Sequence, residues 1–149
     1  MSKSCENLGR QAGVIQCIGL LKNYQTLRLN DITNVKKRKY IYREVWYNMG
    51  RAFHYLDVLY LALDCYCRAI HSCVCNEVDD ETYSNPGHTL ELISQMNATD
   101  DANVDVDKDE DEVAGKLVRQ TAHNLVLCLR SSPGMEHYAR EVTKKYLTF

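Results

Sequence analysis

The feature that most constrains this chain is a run of spaced large and small residues between Arg43 and Ile70. Trp46, Met49, Gly50 and Phe53 recur at three- and four-residue steps, which puts them on one helical face. Ala62, Tyr66 and Ala69 repeat that spacing further on. His54 to Val58 lies between the two sets and predicts a turn, so two helices fold back antiparallel. Gly50 and Ala62 are small where those helices approach closely, and Trp46, Met49 and Phe53 fill the groove beside them. Tyr66 and Ala69 carry the seam along the second helix. An all-α chain is the expectation. Two prolines and seven glycines in 149 residues also disfavour a turn-rich all-β fold.

The steps follow the tetratricopeptide-repeat signature, in which small and aromatic positions alternate over two helices. With Trp46 at its fourth position, Gly50 is the eighth, Phe53 the eleventh, Ala62 the twentieth, Tyr66 the twenty-fourth and Ala69 the twenty-seventh. Val74 stands where the pattern has proline. A more degenerate copy follows near the C-terminus: Ala122, Leu125, Val126 and Leu129 on a first helix, a breaker at Arg130-Ser131-Ser132-Pro133-Gly134, then Ala139, Thr143 and Tyr146 on a second. Its turn is one residue longer. Asn48 and Asn124 occupy equivalent places. Upstream, Val14, Ile15, Ile18, Leu21 and the pair Tyr24/Gln25 track one face of a helix that Asn30 and Asp31 end. That helix is expected to be the second helix of a preceding repeat, which makes the chain the end of a longer α-solenoid.

Charge divides the chain. Residues 77–112 hold 13 acidic residues and one lysine, so they carry −12 and leave +10 on the rest of a chain whose net charge is −2. High charge with few large apolar residues predicts an acidic disordered loop, with a short helical turn possible over Thr89 to Met96. The expected organisation is a helix plus one repeat over 1–76, the acidic loop over 77–112, and a terminal degenerate repeat over 113–149. The basic run Lys36-Lys37-Arg38-Lys39 falls in the connection before the first repeat. It reads as a weak nuclear-import signal, or as a solvated charged turn or the first turn of the next helix, with some phosphate affinity.

Chemistry finds little foothold in the remaining residues. No run is long and apolar enough to cross a membrane, and the first residues lack a secretory signal. Seven cysteines without an export signal fit a reduced, intracellular setting. Cys65 and Cys67 lie about 200° apart on a helix and cannot share one ion there; Cys73 and Cys75 have no paired histidine. Asp105, Asp107 and Asp109 alternate like calcium ligands, but Glu110 and Lys116 stand where an EF-hand loop needs Gly and Glu. His54, His71, His88, His123 and His137 have no spaced nucleophile and carboxylate. The expectations are no enzyme, no metal and no cofactor.

Beyond the repeat, the segment Val14 to Arg28, the segment Glu44 to Leu56 with its phrase Tyr47-Asn48-Met49-Gly50-Arg51-Ala52-Phe53-His54, the segment Leu61 to Ile70 and the segment Leu117 to Leu127 resemble the C-terminal end of the tetratricopeptide-repeat subunit of general transcription factor IIIC. The resemblance covers about 100 residues, and the acidic stretch and the longer last turn depart from it. It implies a nuclear, non-catalytic scaffold. Such a subunit bridges promoter-bound factor IIIC to factor IIIB in RNA polymerase III transcription initiation at tRNA and 5S genes. Its partners are other factor IIIC subunits and factor IIIB, and it meets DNA only through the complex. The other reading is a generic repeat adaptor or cochaperone that grips a partner peptide. Asn48, Arg51 and Asn124 are the candidate partner-binding residues for it, although Leu127 stands where a second cation would help. A redox or metal-responsive protein built on the cysteines is a third class.

Overall fold

A computed structural model describes residues 3–74, 83, 85–95 and 108–148, with side chains from residue 6 and excepting those of 72–74 and 108–111. It is all-helical among the described residues: α1 (Lys3–Asp31), α2 (Val35–Tyr55), α3 (Leu59–Val74), α4 (Pro86–Gln95), α5 (Lys108–Ser131) and α6 (Glu136–Val142), the last running on into a π-helical turn, Thr143–Leu147. No described helix is long and apolar enough to cross a membrane.

The α2–α3 pair is the centre of the molecule, with α1 packed on the α2 side and α4, α5 and α6 on the α3 side. Two apolar clusters result. One joins Ile41, Val45, Trp46 and Met49 of α2 to Cys65 and Ala69 of α3, with Ile18 and Leu21 of α1 against them. The other gathers Ala62, Tyr66, Cys67 and Ile70 of α3 with Leu90 and Ile93 of α4, Leu125 and Leu129 of α5, and Ala139 and Val142 of α6. Helix α3 is thus buried on two sides. That explains Cys65 and Cys67: they point to nearly opposite faces, and each face has its own core.

Local chemistry fixes the joints. The Asn34 side chain caps α2 by accepting from the Lys36 and Lys37 N–H groups, at 2.9 and 3.4 Å. Arg38 reaches back and donates to the carbonyls of Leu29 and Ile32 at 2.6 and 3.1 Å, which satisfies the C-terminal end of α1. Of the sequence alternatives the basic run is therefore the first turn of the next helix, α2, because the asparagine cap starts that helix ahead of it. At the other end of α2, the Val58 N–H donates to the Phe53 carbonyl and Asp57 N–H to His54. Asp57 takes a left-handed φ of 61°. This is a Schellman closure with aspartate where glycine is usual. The breaker after α5 uses Gly134 at φ 80°, a conformation that costs glycine little.

Two sequence expectations change here. The stretch 77–112 contains a packed helix: α4 buries Thr89, Leu90 and Ile93. Asn85 caps it, accepting the His88 N–H at 2.9 Å, and Pro86 takes the first helical position. Three inward side chains at helical spacing suffice to fold a segment that its average charge makes look unstructured. Helix α5 also begins at Lys108, inside the expected loop. Residues 77–82, 84 and 96–107 of that stretch lie outside the described residues. On α1, Ile15 leaves the face assigned to it at 67% exposed, and of the pair at 24/25 Gln25 is buried while Tyr24 is 39% exposed. Packing against α2 selects Ile18, Leu21 and Leu29 instead.

Candidate partner-binding face

The predicted seam residues meet in the interior. Trp46, Met49, Ala62, Tyr66, Ala69, Leu125 and Ala139 are buried, and Phe53 is partly buried between both clusters. Gly50 faces the Tyr66 ring so closely that a Cβ there would lie 2.5 Å from Tyr66 Cε1. The space taken by a side chain at position 50 is space the Tyr66 ring already fills.

Above that contact the helices present polar groups. Tyr47, Arg51 and His54 rise from α2 at helical steps, with the Arg51 guanidinium over the Tyr47 ring at 5.7 Å. The rings of Tyr47 and Tyr66 lie 6.3 Å apart. His54 Nδ1 sits 3.3 Å from the Tyr66 hydroxyl and 3.8 Å from the Cys128 sulfur of α5. Burial pushes the Cys128 thiol up to about 11, and burial followed by Cys128 and Tyr47 raises the Tyr66 phenol above its ordinary value. Both groups therefore keep their protons near neutrality. In the neutral imidazole with hydrogen on Nε2, Nδ1 is the acceptor for which the Tyr66 O–H and the Cys128 S–H compete. The cluster joins α2, α3 and α5 at one point.

Of the three candidate contact residues, Arg51 joins this cluster through the Tyr47 ring, and Asn48 and Asn124 lie on two of the helices that carry it, α2 and α5. Arg51 is exposed on α2, one turn before His54; Asn48 is half-buried a turn earlier. Asn124 is half-buried on α5, one turn before Cys128. Leu127, at 41% exposed, adds apolar surface beside Asn124. The face offers a cation, two amides and an aromatic ring. These are groups that can pair with a carboxylate or with backbone carbonyls.

A second polar assembly lies on α3 and was not visible in the sequence. Arg68 bridges two rings, 4.7 Å from Trp46 and 4.4 Å from Tyr83, and pairs with Asp64 at 3.0 Å. Lys22 of α1 also lies over Trp46, at 4.2 Å. Tyr83 donates to Asp64 at 2.6 Å, and its ring meets His71 edge-on at 5.5 Å. Burial and that hydrogen bond hold the Tyr83 phenol protonated well past its usual range. His71 is buried with its Nδ1 3.1 Å from Thr89 Oγ1. These contacts tie α1, α2 and α4 to α3.

Among the described residues no three of histidine, cysteine, aspartate and glutamate converge as a metal site would require. Cys65, Cys67 and Cys128 are buried free thiols and Cys17 is exposed; the side chains of Cys73 and Cys75 lie outside the described residues. Burial, reinforced by Asp64, pushes Cys65 up to about 12 from 9.0, and Cys67 is raised further. The sign of the linkage follows. The folded chain holds protons that the unfolded chain releases above pH 9, so these thiols contribute their full stability below pH 9 and lose it as pH rises toward 12. Urea unfolding should show a stability plateau up to about pH 9, then a fall of up to about 1.4 kcal/mol per pH unit for each such thiol. Replacing Cys65 with Ala should flatten part of that fall.

No family model, curated protein or solved structure matches this chain.

Proposed function

We propose that this chain is a scaffold subunit of the RNA polymerase III initiation machinery, of the kind found as the tetratricopeptide-repeat subunit of general transcription factor IIIC. In this reading α2–α3 is one repeat of an α-solenoid, and α5 with α6 is a degenerate terminal one. The protein works in the nucleus, holds factor IIIC subunits together at tRNA and 5S genes, and bridges them to factor IIIB without catalysing a reaction. The observation that carries the reading is the Gly50–Tyr66 contact inside an antiparallel helix pair. It supplies a physical reason for the small and aromatic residues at the repeat's own spacing, within the phrase Tyr47 to His54 on which the resemblance rests. The polar face of Asn48, Arg51 and Asn124 supports a peptide-holding role.

Affinity capture from nuclear extract tests it. The tagged chain should retain factor IIIC subunits. Recovery of chaperones alone would favour the cochaperone reading, which Asn48, Arg51 and Asn124 also fit and for which Leu127 is the wrong residue.

A further inference from the structure

Helix α1 has two apolar seams and packs only one of them against α2. The packed seam is Ile18, Leu21, Gln25 and Leu29. The other runs Gly9, Gly13, Cys17, Leu20, Tyr24 and Leu27, at steps of three and four residues, within an arc of about 80°. It is open: Leu20 and Leu27 are 69% and 68% exposed, Tyr24 is 39% exposed, and nothing lies within 4 Å of a Cβ built at Gly9 or Gly13. Two interior glycines weaken an exposed helix relative to alanine, and no contact among the described residues accounts for them.

The order of sizes along this seam says what covers it. Its N-terminal half is small and its C-terminal half is large. Two such helices laid antiparallel about a two-fold axis near Ile18 complement each other. Leu27 falls opposite Gly9 of the second copy, Tyr24 opposite Gly13, and Leu20 opposite Cys17. Each large residue meets a small one, and the symmetry makes every match twice, as an isologous interface requires. We propose that the chain forms an antiparallel homodimer through the outer seam of α1, with the glycines admitting the leucines and tyrosine of the second copy.

Sedimentation equilibrium of the full chain tests this. One helix pair about 43 Å long is a small interface, so dissociation on the order of micromolar is expected. The double variant Leu20→Lys, Leu27→Lys should be monomeric with unchanged helical circular dichroism. Gly13→Leu is the sharper variant. An isolated α1 has open space there and gains helix propensity, whereas the dimer loses the gap that seats Tyr24, so association should weaken at least about tenfold, or about 1.4 kcal/mol. A wild-type chain that is helical yet monomeric at about 100 µM, far above the expected dissociation constant, would overturn the proposal. So would a Gly13→Leu variant that associates as tightly as wild type, or a double lysine variant that stays dimeric.

Discussion

Tyr66→Ala should cost about 3–5 kcal/mol, the range for removing a fully buried aromatic side chain. Tyr66 has no exposed surface. Its ring fills the gap over Gly50, touches Tyr47 and His54, and packs in the cluster shared with α5. Gly50 has no side chain to move into the hole. A loss of that size is a large part of the roughly 5–15 kcal/mol that holds a domain together. Urea denaturation followed by circular dichroism measures it. Tyr66→Phe serves as the control, since it keeps the ring and removes only the hydroxyl near His54. It should cost about 1 kcal/mol, in the range for one hydrogen bond. Equal losses in the two variants would mean that the ring does not fill the seam.

Gly50→Val should destabilise by about 1–3 kcal/mol or more, although replacing an interior helical glycine ordinarily helps. The added Cβ would meet Tyr66 Cε1 at 2.5 Å and Cδ1 at 2.7 Å. Tyr66 has no route to solvent, so α2 and α3 must separate or the ring must leave its well. Gly115→Val is the matched control on α5, where nothing lies within 4 Å of the new Cβ. There the ordinary rule holds, with a gain of less than about 1 kcal/mol. Opposite signs at the two glycines in thermal unfolding distinguish close packing at position 50 from a general effect of glycine.

The α2–α3 pair was legible because its signal is local. Small residues at 50 and 62 and aromatics at 46, 53 and 66 all sit within one pair of adjacent helices, and steric fit alone explains them. Helix α4 was obscured by averaging. Thirteen acidic residues over 77–112 dominate any window, yet Asn85-Pro86 followed by Thr89, Leu90 and Ile93 is a capped amphipathic turn once the window narrows. The polar cluster had no local signature at all. His54 reads as a turn residue until the Schellman closure extends α2 to Tyr55, and its sulfur neighbour comes from 74 positions away. The Arg68 assembly was hidden for the same reason, since Lys22, Trp46 and Tyr83 converge only after four segments pack. Sequence periodicity reports which face of a helix is apolar. It does not report which polar groups from other helices finish that face.

Capture from nuclear extract bears most directly on the central claim when the wild-type chain is run beside an Arg51→Glu, Asn124→Lys variant. Arg51 is exposed and Asn124 is partly so, so the variant should keep its helical fold, with a loss on the order of 0.5–1 kcal/mol for the Arg51–Tyr47 ring contact. The account predicts factor IIIC subunits on the wild-type chain and a loss of about tenfold or more on the variant, as expected when a charged contact is reversed at an interface. Equal recovery of factor IIIC subunits on both chains would remove this face from the scaffold's contacts. Chaperones alone on the wild-type chain, with no factor IIIC subunit, would contradict the account.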